Sequence, residues 1–141
     1  MTSLTELESY LNQYGWSFEK QDENILVTGF VSESSDEKFL LIIELLSLWL
    51  RFRIPFYLPT PIQSDWDYIT RELLKVNYSS RQVYFGIRDD EGIVLITDIF
   101  IGLNLSYEAF EVAIDLITYV AETSFLPLMS LLDSGYTPEE K

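Results

Sequence analysis

The chain has 141 residues, 48% hydrophobic and 15% aromatic, and a net charge of −14 from 23 acidic and 9 basic side chains. One domain of this length buries about two-thirds of its unfolded surface, so the composition describes a folded acidic protein rather than a disordered one. With neither cysteine nor histidine, it has no disulfide, no thiolate nucleophile, no Cys/His zinc site and no histidine general base.

The acidity repels phosphate backbones and anionic lipid surfaces. No nucleic-acid and no membrane partner is expected, and basic proteins or cations are favoured electrostatically. The first residues lack the basic and apolar regions of a secretory signal. The most apolar run, Phe39–Leu50, is interrupted by Glu44 and falls short of the roughly 18–20 residues that span a bilayer. A cytoplasmic location is expected.

Ser3 and Glu6 have the spacing of a capping box. Leu4, Leu7, Leu11 and Tyr14 then make one apolar stripe, and Gly15 suits the left-handed position past a helix end, so a helix is predicted over Leu4–Tyr14. Trp16–Lys20 alternates, Gln21–Asn24 supplies turn residues, and Ile25–Val31 is rich in strand formers, which predicts two strands. After a polar connection comes Phe39–Pro59. Its length favours two strands split near Leu46–Ser47, with a helix over 38–49 as the rival reading. Leu48, Leu50, Phe52 and Ile54 should face one way, and Trp49, Arg51 and Arg53 the other. Pro55, Pro59 and Pro61 should stop the sheet.

Ile62, Trp66, Ile69, Leu73 and Val76 mark a second helix ending near Asn77. Val83, Phe85 and Ile87 alternate, Asp89–Gly92 turns, and Ile93–Ile101 returns, which makes a hairpin. Ser106 is an N-cap candidate, and Phe110, Ala113, Ile114, Ile117, Val120 and Ala121 form a broad apolar face. Pro127 should kink or end that helix, with Leu128–Leu132 as a brief continuation before the polar tail. The order is α-β-β-β-β-α-β-β-α. It predicts a single α+β domain over residues 1–133, an antiparallel sheet with flanking helices, and a polar tail over 134–141.

Candidate sites are few. Asp89–Gly92 lacks the ligand spacing of a calcium loop and reads as a solvated turn. No metal site, cofactor or catalytic residue is assigned. Glu44 and Asp98 are the acids set within apolar strand patterns; pairing with Arg51 or Arg53 is the plainer account of them, and carboxylate catalysis the other. Trp49, Arg51 and Arg53 form the one basic–aromatic cluster. Such a face can bind a carboxylate or acidic peptide, or its arginines can be taken up by the protein's own acids, which is the favoured reading.

The helix ending in Tyr14-Gly15-Trp16, the strand ending in Ile54-Pro55-Phe56, the hairpin, and Leu105-Ser106-Tyr107-Glu108-Ala109-Phe110 opening the last helix together resemble the YbjN-like proteins. That group is described as bacterial sensory transduction regulators, with a fold similar to type III secretion chaperones. The resemblance implies a non-enzymatic cytoplasmic protein, a homodimer, that binds a polypeptide partner. It supplies no catalytic residues.

The leading expectation is therefore a protein–protein interaction module, chaperone-like or regulatory, that uses its sheet and helix surface. The alternative is a small-ligand-binding domain with an apolar pocket and an anchor at Arg51 or Arg53. Phe39–Leu46 is too apolar for a strand with one wet face, so a helix or a second subunit is expected to cover it.

Overall fold

In the computed structural model, which describes residues 2–136, the elements follow the predicted order. Helix α1 spans Leu4–Tyr14. The Ser3 hydroxyl accepts from the Glu6 N–H and the Glu6 carboxylate accepts from the Ser3 N–H, the full capping box. Gly15 closes the helix at φ 95°. Strands β1 (Glu19–Asp22), β2 (Ile25–Val31), β3 (Lys38–Leu46) and β4 (Trp49–Leu58) follow. A short 3₁₀ turn over Gln63–Asp65 leads into α2 (Trp66–Ser79). Then come β5 (Val83–Arg88), β6 (Gly92–Phe100) and α3 (Tyr107–Tyr136).

The six strands form one antiparallel sheet in the order β1-β2-β3-β4-β6-β5. The α+β reading therefore holds, and the rival helix over residues 38–49 does not form. The β-branched residues Ile42 and Ile43 pack on a pleated surface, and the turn falls at Ser47–Leu48.

Five local expectations are corrected. First, β1 begins at Glu19 rather than Trp16. Trp16 instead turns inward to stack on Phe30, while the Ser17 carbonyl accepts the Thr28 hydroxyl. Second, Leu48 lies in the turn and is exposed, so it does not share the buried face of Leu50, Phe52 and Ile54. Third, Pro55 does not stop the sheet, and β4 continues to Leu58. The ladder to β3 has ended at Arg53 and the register with β6 shifts between Ile54 and Leu58, so the missing proline N–H leaves no ladder bond unmade. The chain turns there through Phe56, at φ 49°, whose N–H donates to the Glu91 carbonyl.

Fourth, α3 runs through Pro127 to Tyr136 without ending there. It thus extends into the stretch read as a tail; residues 137–141 lie outside the described residues. Fifth, Ile62, assigned to the α2 stripe, sits before the 3₁₀ turn and is exposed.

All three helices lie on one face of the sheet. Leu7 and Leu11 of α1, Ile69 and Leu73 of α2, and Phe110, Ile114 and Ile117 of α3 pack against Leu26, Leu41, Ile43, Leu50, Phe52, Ile54 and Leu95. The 107–131 stretch of α3 is long and apolar enough to cross a bilayer by length and composition; one stripe of it packs in this core, while Val112, Tyr119 and Leu126 are exposed. Tyr57, fully buried, donates to the Ala121 carbonyl at 2.6 Å and fixes α3 on β4.

The start of the chain is fastened to its last quarter. The Thr2 N–H donates to the Leu103 carbonyl and the Leu105 N–H to the Thr2 hydroxyl, while the Tyr10 hydroxyl reaches the Leu105 carbonyl. The Tyr14 hydroxyl donates to Asp115. Burial and that carboxylate both push the Tyr14 phenol well above its ordinary range.

Candidate functional site: the open face of the sheet

Strand residues alternate between faces, so the register defines what the helix-free face carries. One row runs Ile25–Glu44–Arg51–Asp98, the next Val27–Ile42–Arg53–Ile96–Tyr84, and a third Leu46–Trp49–Phe100. Gly29 and Leu40 pair beyond them, followed by Val31 and Lys38.

The three residues singled out in the sequence, Trp49, Arg51 and Arg53, are brought together here on one strand, but they do different things. Arg51 grips Asp98 in a bidentate pair, with Nε to Oδ1 at 2.7 Å and Nη2 to Oδ2 at 2.9 Å. The Tyr84 hydroxyl donates to the same Asp98 Oδ2 at 2.7 Å. Burial alone would push the Asp98 carboxyl up, but the donors Arg51 and Tyr84 outweigh it and hold the carboxyl below its ordinary value. Burial and the neighbouring carboxylate push the Tyr84 phenol up.

Arg53 is buried between two acids. Its Nη1 donates to Glu44 at 2.6 Å and its Nε to Glu91 at 2.9 Å. Arg88 adds a pair to Asp90 at 2.7 Å. The favoured reading of the sequence, internal pairing, is what the geometry has.

Trp49 is free of this network. It stands about half exposed, edge-on to Phe100 at a ring separation of 5.4 Å.

The network divides the face into two apolar ends. Leu46, Trp49 and Phe100 are exposed at one; Val31, Leu40 and Phe56 are exposed at the other. Between them Ile42, Val94 and Ile96 are buried although no helix covers them, sheltered by their strand neighbours. Of the two covering groups expected over Phe39–Leu46, a helix of the same chain is absent among the described residues, and Leu40 is left 49% exposed. A cleft of about 210 Å³ lined by Glu44, Arg51, Arg53, Arg88, Glu91 and Ile96 opens on this face. Its three guanidinium groups are each paired with a carboxylate.

The centre of the face is neutral in a strongly acidic chain. Lys38, Arg51, Arg53 and Arg88 stand against Glu44, Asp90, Glu91 and Asp98, four bases to four acids, and Glu19 and Asp22 of β1, paired with Val27 and Ile25, add two acids at its edge. Catalysis by Glu44 or Asp98 finds no support, because a general acid needs a raised pKa and Asp98 is held down while Glu44 is tied to Arg53. Among the described residues no group of three acids is placed to hold a metal ion.

Tyr84 and Glu91 were not assigned to the site from sequence. Tyr84 shares a face with Arg88 by simple alternation, but its meeting with Asp98 depends on the β5–β6 register. Glu91, read as a turn residue, folds back toward Arg53.

Three comparisons bear on this arrangement. The family model YbjN, described as "Putative bacterial sensory transduction regulator", matches residues 3–128. No curated protein matches the chain. Among solved structures, one titled "Crystal structure of YbjN, a putative transcription regulator from E. coli" superposes with a TM-score of 0.71 at 16% sequence identity, covering 93% of this chain and 94% of that one. At that identity the likeness establishes the fold.

Proposed function

Since the chain belongs to the YbjN family, we propose that it is a non-enzymatic regulatory domain that acts by binding a polypeptide on the open face of its sheet. The observation that carries this reading is the one-sided layering. Three helices cover one face, and the other keeps Val31, Leu40, Leu46, Trp49 and Phe100 exposed around a neutralised ionic belt. Exposed large apolar groups gathered on one face are a mark of an interaction surface.

The size fits. Six strands at about 4.8 Å spacing and about seven residues at roughly 3.3 Å give a footprint near 700 Å², close to the ~800 Å² that each partner contributes to a standard interface. Homodimerisation is the simplest case. The charges cancel over the centre of this face, leaving Glu19 and Asp22 as an excess at its β1 edge, while the chain as a whole carries −14, so two copies meet there with little repulsion. The cytoplasmic location expected from the sequence is part of the same proposal. The ligand-pocket reading is not favoured, because both arginines that would anchor the ligand are engaged by the protein's own acids.

Gel filtration with light scattering over a range of concentrations, on the parent protein and on Leu40→Glu and Trp49→Glu, tests the proposal. A parent dimer reduced to monomer in both variants, each with its melting temperature kept, is the expected result. A parent that stays monomeric, or variants that associate as the parent does, would count against face-mediated association.

A further inference from the structure

The edges of the sheet are treated unequally. Strand β1 is four exposed polar residues, Glu-Lys-Gln-Asp, with an irregularity between Lys20 and Asp22. Short, charged and irregular strands resist pairing with another chain. Strand β5 at the other edge is Val-Tyr-Phe-Gly-Ile-Arg, regular along its whole length, and this is the kind of edge that recruits another strand.

What occupies it is one side chain. The Asn77 amide, from the last turns of α2, accepts the Phe85 N–H at Oδ1 (2.7 Å) and donates from Nδ2 to the Phe85 carbonyl (2.9 Å). Those are the two bonds that a residue of a neighbouring strand would make. They also fix the direction in which β5 points its backbone. The N–H and C=O of Phe85 face outward, so by period-two alternation those of Val83 and Ile87 do as well. No hydrogen bond among the described residues takes up the outward groups of Val83 or Ile87. Beside the clamp lies an apolar hollow of about 150 Å³ lined by Leu73, Leu74, Asn77, Phe85 and Ile87, with Leu74 and Ile87 exposed.

We propose that the β5 edge is a latent pairing surface for the β5 strand of a second copy of this chain, and that Asn77 holds it shut by standing in for one residue of that strand. The partner is set by the strand itself. An antiparallel pair centred on Phe85 places Phe85 opposite its own equivalent and Val83 opposite Ile87. All three outward-facing residues are then matched under a two-fold axis. Arg88 is held at the ends of such a pair, away from its own copy. This surface is distinct from the open face, so it stands or falls independently of the docking proposed there.

The test is the mass of Asn77→Ala, measured by gel filtration with light scattering at several concentrations, beside the parent and beside Asn77→Ala/Ile87→Pro. Proline at 87 removes only an outward N–H and leaves the β5–β6 ladder intact. The expected result is a mass at least twice that of the parent for Asn77→Ala, rising with concentration where the parent is itself a dimer, and a return to the parent mass for the double variant. A folded Asn77→Ala with the parent's mass at every concentration overturns the proposal, as does association that survives Ile87→Pro. Should the variant fail to fold, amide exchange in the parent decides: protection at Phe85 with fast exchange at Val83 and Ile87 supports the clamp, and equal rates at all three refute it.

Discussion

Replacing Arg53 by alanine is the sharpest test of how the open face is held together. The Arg53 side chain is 10% exposed, Glu91 is 13% exposed and Glu44 is 27% exposed, and both carboxylates lean on the one guanidinium. Removing one member of a buried ionic group strands its partners and typically costs 3–5 kcal/mol. Glu44 recovers some hydration and Glu91 keeps a longer contact to Arg88 at 3.9 Å, so the low end applies. For a chain of this length a loss of about 3 kcal/mol corresponds to roughly 9 °C in melting temperature. The control is Arg53→Met combined with Glu44→Gln and Glu91→Gln, which removes the charges together and keeps an apolar stem over Ile42 and Ile96. That variant should stay within about 1 kcal/mol of the parent. Arg51→Ala should cost less, about 1 kcal/mol, because the Arg51 side chain is 36% exposed and water screens its pair with Asp98. Far-UV circular dichroism through urea and thermal unfolding reads all four proteins. An Arg53→Ala melting temperature within about 3 °C of the parent, or a triple variant as damaged as the single one, refutes the buried triad as a coupled unit.

Two more outcomes follow from the same geometry. Asp98 is held below its ordinary value of 3.8, so its ionic contribution is fully present above that pH and is lost as pH falls through the lower folded-state value. Acid titration of stability should show a limb below about pH 3.8 that is shallower in Asp98→Asn; an identical limb would contradict the assignment. Gly92 sits at φ 63°, and a Cβ there would come 3.0 Å from the Phe56 ring. Gly92→Ala should therefore cost about 1–2 kcal/mol in urea unfolding, and a neutral result would show that the Phe56 turn gives way freely.

The elements were legible because their local chemistry is complete within a few residues. Ser3 with Glu6, Gly15, and the alternation of Leu50, Phe52 and Ile54 each need only near neighbours to be read. What escaped depends on long-range register. That β6 and not β5 lies beside β4 decides that Asp98 meets Arg51, and no spacing in the sequence encodes it. Pro55 was read as a stop because proline lacks a ladder N–H, yet the ladder around it had already lapsed. The apolar excess of Phe39–Leu46 did signal something real. Half of that excess faces the core, and the rest, Leu40, Ile42 and Leu46, is left uncovered by the chain's own helices.

The fastening of the N-terminus to the loop before α3 sets a schedule for biosynthesis. Thr2 waits for Leu105, 103 residues away, and Tyr14 for Asp115, 101 residues away. At a translation rate of about 5–20 residues per second, those partners are made roughly 5–20 s after the residues that need them. Helix α1 can form at once, since its cap is local, but its Leu7 and Leu11 face stays without its α3 neighbours for most of that interval. Helix α1 is thus made well before it is secured, and a nascent chain that stalls before residue 105 presents it as an unfastened amphipathic helix.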